Sequence, residues 1–300
     1  MMARGYPHSA RTLPLLQVGA ALLGLVLTSR TVHAQGSHPV LDSVRLELTG
    51  VEDSSTYLLY RYRVLNPASS RGGVAGVELD LSARPGTGHE VLPFTGARGP
   101  GRRDVPDHVP FGAIAPDRWQ TLIDYKARLV WYVYEVLLRE RTAPVSFDSV
   151  GPGDSKTGFA VRSPYLPGIR QFTAIPTEQS CCTKPNAQGE LPSSFFFRVG
   201  GAAVAPTYAL GTVTPQLLRD LLERACSEFA WIRPRPVCVT LTNKLASGPR
   251  RPGDGDQGID EAPLRAFLAE LEVQHGPGKS VKDNAYWLLK VNAEYLLGHR

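Results

Sequence analysis

The chain has 300 residues, 42% of them hydrophobic and 20% charged, with a formal net charge of +5. Three basic residues, Arg4, Arg11 and Arg30, lie in an N-terminal leader; without it thirty basic residues stand against twenty-eight acidic ones, a balance of +2. That excess is too small to argue for nucleic acid, and Arg102-Arg103 and Arg250-Arg251 sit in Gly/Pro-rich stretches without interleaved aromatics.

The leader combines Arg4 and Arg11, an apolar run from Leu13 to Leu27, and small residues at Val32-His33-Ala34. This is the build of a secretory signal peptide over residues 1–34, with cleavage after Ala34. The apolar run is shorter than the roughly 20 residues a membrane span needs. No Cys follows it as a lipid acceptor, and Leu296 to Arg300 follow no hydrophobic segment. The expectation is a secreted or periplasmic protein with no stable membrane insertion after cleavage.

From Leu41 to Pro206 the pattern alternates. Val44, Leu46 and Leu48 interleave with polar residues, Tyr57 to Leu65 continues the alternation, and Val77, Leu79 and Leu81 repeat it. Further strands are expected at Leu129 to Leu138, Gly158 to Arg162, Ile169 to Ile175 and Phe195 to Val199. Turn residues such as Asn66-Pro67, Pro85-Gly86 and Pro167-Gly168 separate them. The stretch 83–117, rich in Arg, Gly and Pro, reads as a long excursion. About seven short strands outline an Ig-like antiparallel β-sandwich over 39–206.

After Thr212 the period becomes helical. Thr214 is an N-cap and Pro215 the first helical residue, followed by the stripe Leu217, Leu218, Leu221, Leu222, Ala225, Cys226. A second helix is expected at Val237 to Ala246, a third at Glu261 to Gln274, and a fourth from the Ser280/Asp283 cap to Leu297. Tight connections between short amphipathic helices predict a small antiparallel bundle over 214–298, so the chain reads as a multidomain α+β protein.

The residues Leu217-Leu218, Asn243-Lys244-Leu245, Leu264-Arg265-Ala266-Phe267-Leu268, Ala285-Tyr286-Trp287-Leu288-Leu289 and Asn292 to Leu297 follow one another in a recognisable order. In them the segment 214–297 resembles the FIMAH-type helical domain of secreted bacterial proteins. The resemblance implies an accessory extracellular module of undefined activity and brings no catalytic residues. No family attaches to the β part.

The cysteines are Cys181, Cys182, Cys226 and Cys238, an even number in a chain expected to be exported, which favours disulfides. Cys226 and Cys238 lie at facing ends of two expected helices and are the pair expected to bond. Cys181-Cys182 is then a strained vicinal pair or two free thiols. Zinc would want CxxC-type spacing with His nearby, which neither pair has.

Four motifs resolve into ordinary local structure. Leu92-Pro93-Phe94-Thr95-Gly96 spells a sorting signal but lacks the following hydrophobic stretch, so it reads as a turn. Gly278-Lys279-Ser280 lacks the first Gly of a P-loop, since Val273 stands there, and reads as a helix cap. Asp254, Asp256, Asp260 and Glu261 depart from EF-hand spacing and read as a solvated helix start. Gly153 to Gly158 lacks the GxSxG elbow. No cofactor or metal is expected.

The aromatic residues are the most suggestive surface candidates. Trp131, Tyr132 and Tyr134 point both ways along one expected strand, so at least one would face solvent and could stack on a sugar or anchor a protein. Core packing competes with that reading. The functional expectation is a non-catalytic extracellular or periplasmic binding or interaction module with a protein or polysaccharide partner. A carbohydrate-binding accessory protein using the strand aromatics is the alternative, and a secreted hydrolase the second alternative.

Overall fold

The structure is a computed structural model and describes residues 41–54, 57–85, 112–123, 127–133, 148–177, 198–246 and 261–298. Nine strands and four helices occur among them: β1 (Arg45–Ser54), β2 (Tyr57–Leu65), β3 (Val74–Asp80), β4 (Ala113–Ile114), β5 (Trp119–Ile123), β6 (Arg128–Val133), β7 (Ser155–Ser163), β8 (Leu166–Pro176), β9 (Val199–Tyr208), then α1 (Pro215–Ser227), α2 (Arg235–Ala246), α3 (Glu261–Gln274) and α4 (Asp283–Gly298). The class is α+β. One sheet has the order β1-β2-β7-β4 and the other β5-β6-β3-β8-β9, and every pairing is antiparallel.

Alternation in the sequence places the core. Tyr60, Tyr62 and Val64 of β2 are buried, as are Val77 and Leu79 of β3. Rings from both sheets meet: Tyr62 and Trp131 have centroids 5.8 Å apart, Trp131 and Phe159 5.7 Å, and Trp119 and Phe159 4.9 Å edge to face. Offset and edge-on contacts of this kind suit the ring quadrupoles.

The polar alternates of β3 are not a solvent face. Glu78 and Asp80 are 5% and 8% exposed. Burying a carboxylate is tolerable only when it is paired, and Glu78 accepts from both Arg128 and Arg198. Asp80 Oδ1 accepts from the Ser82 backbone N–H at 3.0 Å and its hydroxyl at 2.6 Å.

The start of α1 follows capping chemistry. Thr214 Oγ1 accepts from Leu217 N–H at 3.2 Å with Pro215 opening α1, which satisfies one of the donors a helix start leaves open. Lys279 Nζ donates to the Val273 carbonyl at 2.8 Å at the end of α3, whereas the expected Ser280 cap of α4 is not formed: α4 begins at Asp283, with Tyr286 N–H bonded to Lys282 O. The sulfurs of Cys226 and Cys238 are bonded, joining α1 to α2.

Two buried asparagines fix α4 against the strands. Asn284 Oδ1 accepts from Leu48 N–H at 2.7 Å, beside the register shift between Leu48 and Gly50, and its Nδ2 donates to Leu46 O at 3.4 Å. Eight residues on, Asn292 Nδ2 donates to Pro167 O at 2.9 Å and to Leu288 O at 2.7 Å. α4 is therefore bonded to β1, an edge strand of one sheet, and to β8 of the other, and the described residues fall within one compact unit, Ser37–Arg300. Among the described residues no helix is long and apolar enough to cross a membrane.

Two expectations shift in place. The strand expected at Phe195 to Val199 begins at Val199 and runs to Tyr208, with residues 195–197 outside the described part. The segment read as one excursion contributes Ala113–Ile114 as a two-residue edge strand. The leader with its Ala34 junction, the Leu92 to Gly96 motif, Cys181-Cys182 and the acidic residues Asp254, Asp256 and Asp260 lie outside the described residues.

Candidate binding groove

Of the aromatics expected to offer a surface, Trp131 does not. Trp131 is 0% exposed, and its indole N–H donates to Ile114 O at 2.9 Å. Leu129 and Val130 beside it are buried too, so this strand has both faces covered, and aromatics pointing both ways do not imply exposure. Tyr132 is half-buried with its hydroxyl donating to Gln120 Oε1 at 3.0 Å, and Tyr134 lies outside the described residues. Trp131 is therefore withdrawn as a binding residue.

Among the described residues a concave surface lies around the exposed start of β9. A cleft of about 550 Å³ is lined by residues of β1, the α1–α2 turn and the α3–α4 turn, including Arg45, Trp231, Lys279, Lys282 and Asn284. A second, of about 570 Å³, is lined by Asp80, Arg170, Gln171, Tyr208, Arg224 and Glu228 among others. Phe172, Gly201, Ala202 and Phe229 belong to both walls, so the two clefts adjoin along the Gly200–Ala202 stretch of β9.

Local backbone chemistry builds this wall. Ala230 takes a left-handed conformation (φ 49°) past the end of α1, and the chain then turns back so that Trp231 N–H donates to Ala225 O at 2.9 Å. This sets Phe229 and Trp231 face to face, with centroids 4.8 Å apart and planes 25° apart, and the Arg224 guanidinium lies 5.3 Å from the Phe229 centroid. On the strand side, Gly201 sits under Phe172, where an added Cβ would come 2.7 Å from the ring.

Electrostatics differ between the two clefts. In the first, Glu47 pairs with Arg45 and Arg63, and Asp283 with Arg63 and His275, while Lys279 and Lys282 have no carboxylate partner among the described residues. In the second, Arg224 pairs with Glu228 at 2.7 Å, which lowers the pKa of Glu228 through the hydrogen bond. Arg170, fully buried, donates to Ser82 O at 2.6 Å and to Thr207 Oγ1 at 3.0 Å and lies 3.8 Å from Asp80. Burial lowers its pKa, with Asp80 opposing.

No family model matches this chain, and no curated protein or solved structure matches it either. The groove is thus read from its own residues.

Behind the first cleft, His275 stacks on Tyr286 at 3.7 Å and its Nε2 lies 2.9 Å from Asp283 Oδ1. Tyr286 donates to Glu272 at 2.6 Å, and Lys290 donates to the same oxygen at 2.6 Å. The hydrogen bonds from Lys290 and Tyr286 lower the Glu272 pKa, while burial and the Glu272 contact push the Tyr286 phenol up to about 12. These groups bind one another and lock the α3–α4 turn that lines the cleft. His38, His89, His108 and His299 lie outside the described residues. Among the described residues no group of three His, Cys, Asp or Glu could hold a metal ion.

None of the groove residues was singled out from sequence as a binding residue; Gly278-Lys279 and Asp283 read as helix caps and Val44 and Leu46 as strand core. They come from six separated segments, and the one local signal was Gly200-Gly201-Ala202-Ala203 in a stretch otherwise flanked by strand formers.

Proposed function

We propose that this is an exported, non-catalytic binding module, periplasmic or secreted, whose ligand lies in the groove over Gly200–Ala202. The observation carrying this reading is the pair of clefts sharing the wall of Phe172, Gly201, Ala202 and Phe229. Adjoining clefts with an apolar saddle and polar ends suit an elongated ligand that spans both. The Cys226–Cys238 bond fits an oxidising compartment.

On this reading the two sheets form an Ig-like β-sandwich, supported by the ring contacts of Tyr62 and Phe159 with Trp119 and Trp131. The four helices form the antiparallel bundle, with the FIMAH-type resemblance pointing to an accessory role outside the cell. A polysaccharide is the second reading for the ligand, favoured by the planar Arg224, Gln171 and Glu228 groups beside Phe229.

The test is a glycan and polysaccharide array and a displayed peptide library on the chain from Gln35, run beside Phe229→Ser with its fold checked by circular dichroism. Binding that drops at least tenfold in the folded variant supports the groove. Binding indifferent to the substitution removes it.

A further inference from the structure

We propose that the groove takes an acidic polysaccharide, with a uronate carboxylate seated in the first cleft and ring hydroxyls in the second, an inference that rests on the groove reading and commits to one ligand for it. The first cleft is cationic. Arg45, Lys279 and Lys282 line it against Glu47 and Asp283, and Arg63 pairs with both of those carboxylates, at 2.8 and 3.6 Å. Four cations thus stand against two carboxylates, an excess of two in one cleft, equal to the balance of the whole chain beyond the leader. Glu47 and Asp283 are engaged further by Arg45 and His275. Lys282 is exposed and has no carboxylate partner among the described residues, so an incoming carboxylate meets a cation that gives up no existing pair. Its position is set by backbone bonds: Lys282 N–H donates to Trp231 O at 2.9 Å and Arg233 N–H to Ser280 O at 2.8 Å. These tie the turn that carries both lysines to the turn that carries Phe229, and a seat fixed in advance costs less to order on binding.

The second cleft is neutral by internal pairing. Arg224 is held by Glu228 at 2.7 Å, and the buried Arg170 lies 3.8 Å from Asp80. The other polar residues lining it are the exposed Gln171 amide, the half-buried Thr173 hydroxyl and the Tyr208 phenol, groups that both donate and accept. Sugar hydroxyls do the same. A ligand with an anionic group at one end and hydroxyls at the other matches this division, whereas a uniformly charged polyanion does not, because half of the groove has its charges already paired.

The floor between the clefts is low. Gly200 and Gly201 are exposed and Ala202 is half-buried, so along this stretch of β9 no side chain is longer than a methyl. β9 is packed by β1 and α4 besides pairing with β8, and Ala203 and Val204 are fully buried. Recognition therefore falls to the side chains of the two clefts and not to the β9 backbone, which favours a glycan over an extended peptide.

The test titrates the chain from Gln35 with polygalacturonate, alginate and hyaluronan, with the carboxyl-reduced form of each, and with polyglutamate. At least one uronate polymer should bind, and its carboxyl-reduced form and polyglutamate should each bind at least tenfold more weakly. Added salt should weaken the uronate polymer severalfold, since the seat is exposed. Lys282→Glu should weaken binding at least tenfold and Lys282→Arg should keep it, while Gln171→Ala should weaken it severalfold; all three lie on exposed side chains and should melt like the parent chain. Binding unchanged by carboxyl reduction or by Lys282→Glu, or polyglutamate bound as tightly as the glycan, overturns the proposal. Indifference to Gln171→Ala overturns the placing of the hydroxyls. If no uronate polymer binds but a neutral glycan or a peptide does and is lost in Phe229→Ser, the acidic ligand is overturned and the groove stands. If nothing binds through Phe229, both fall.

Discussion

Replacing Asn284 by Ala should loosen the whole molecule, and its cost can be worked from one hydrogen bond. The Asn284 side chain is 6% exposed, and its Oδ1 is the acceptor for Leu48 N–H at 2.7 Å, where β1 shifts register against β2. Ala removes that acceptor and leaves a buried backbone donor unpaired, which costs roughly 1–3 kcal/mol. For a chain of this size about 2 kcal/mol corresponds to a melting shift of roughly 4–8 °C. Asn292→Leu is the control, because Asn292 only donates: the groups it leaves are the carbonyls of Pro167 and Leu288, and its own Oδ1 has no partner among the described residues. Under-satisfied carbonyls are tolerated better than orphaned N–H groups, so Asn292→Leu should cost less than half as much. The assay is urea and thermal unfolding of the chain from Gln35, followed by far-UV dichroism and by tryptophan fluorescence. The two probes should coincide, since α4 shares its hydrogen bonds with β1 and β8. An Asn284→Ala change below 0.5 kcal/mol, or separate transitions for helices and sheets, would refute this account of how α4 is held.

Two further outcomes follow from other bonds. Replacing both Cys226 and Cys238 by Ser opens a loop of sequence separation 12 and should cost about 3 kcal/mol by the loop-entropy argument, read as a lower urea midpoint with an intact native spectrum. Hydrogen bonds from Lys290 and Tyr286 lower the pKa of Glu272 from 4.5. Its stabilising contribution is therefore complete above pH 4.5 and fades as the pH falls through the lowered folded value. Glu272→Gln should flatten the loss of stability on the acid side, and a parallel acid limb in both proteins would contradict the pairing.

Local signals carried the helices and failed at the groove, for physical reasons. The Thr214-Pro215 start of α1 and the span Glu261 to Gln274 of α3 rest on capping and a 3.6-residue stripe, which act within a few residues and are written in order along the chain. β2 was legible in the same way through its period of two. β9 was not, because Gly200, Gly201, Ala202, Ala203 and Ala205 give alternation nothing to contrast, and its strand character comes from pairing with β8. Trp131 was ambiguous because periodicity assigns a face and not what covers it; Tyr62 and Phe159, from distant strands, decide that. The groove is less legible still, since Phe172, Gly201, Phe229 and Lys282 meet only once both sheets and the helices are in place.

Neighbouring tyrosines of β2 make a last and sharper test of how the core handles polar atoms. Tyr60 and Tyr62 are both buried, at 0% and 1% exposure, and in both the burial of the phenol raises the pKa well above 10. The Tyr60 hydroxyl donates to the Tyr165 carbonyl. The Tyr62 hydroxyl has no partner among the described residues, and neither has Nη2 of Arg170, whose charge acts on the Tyr62 phenol. Removing a bonded hydroxyl forfeits roughly 0.5–1.5 kcal/mol, whereas removing an orphaned one relieves a desolvation penalty. Tyr60→Phe should therefore destabilise by about 1 kcal/mol, and Tyr62→Phe should be neutral or stabilising, in the same urea titration. A loss above about 1 kcal/mol in Tyr62→Phe would mean that its hydroxyl is held after all. A buried water shared with Arg170 would then be the simplest partner, since such a water satisfies two or more enclosed polar groups at once.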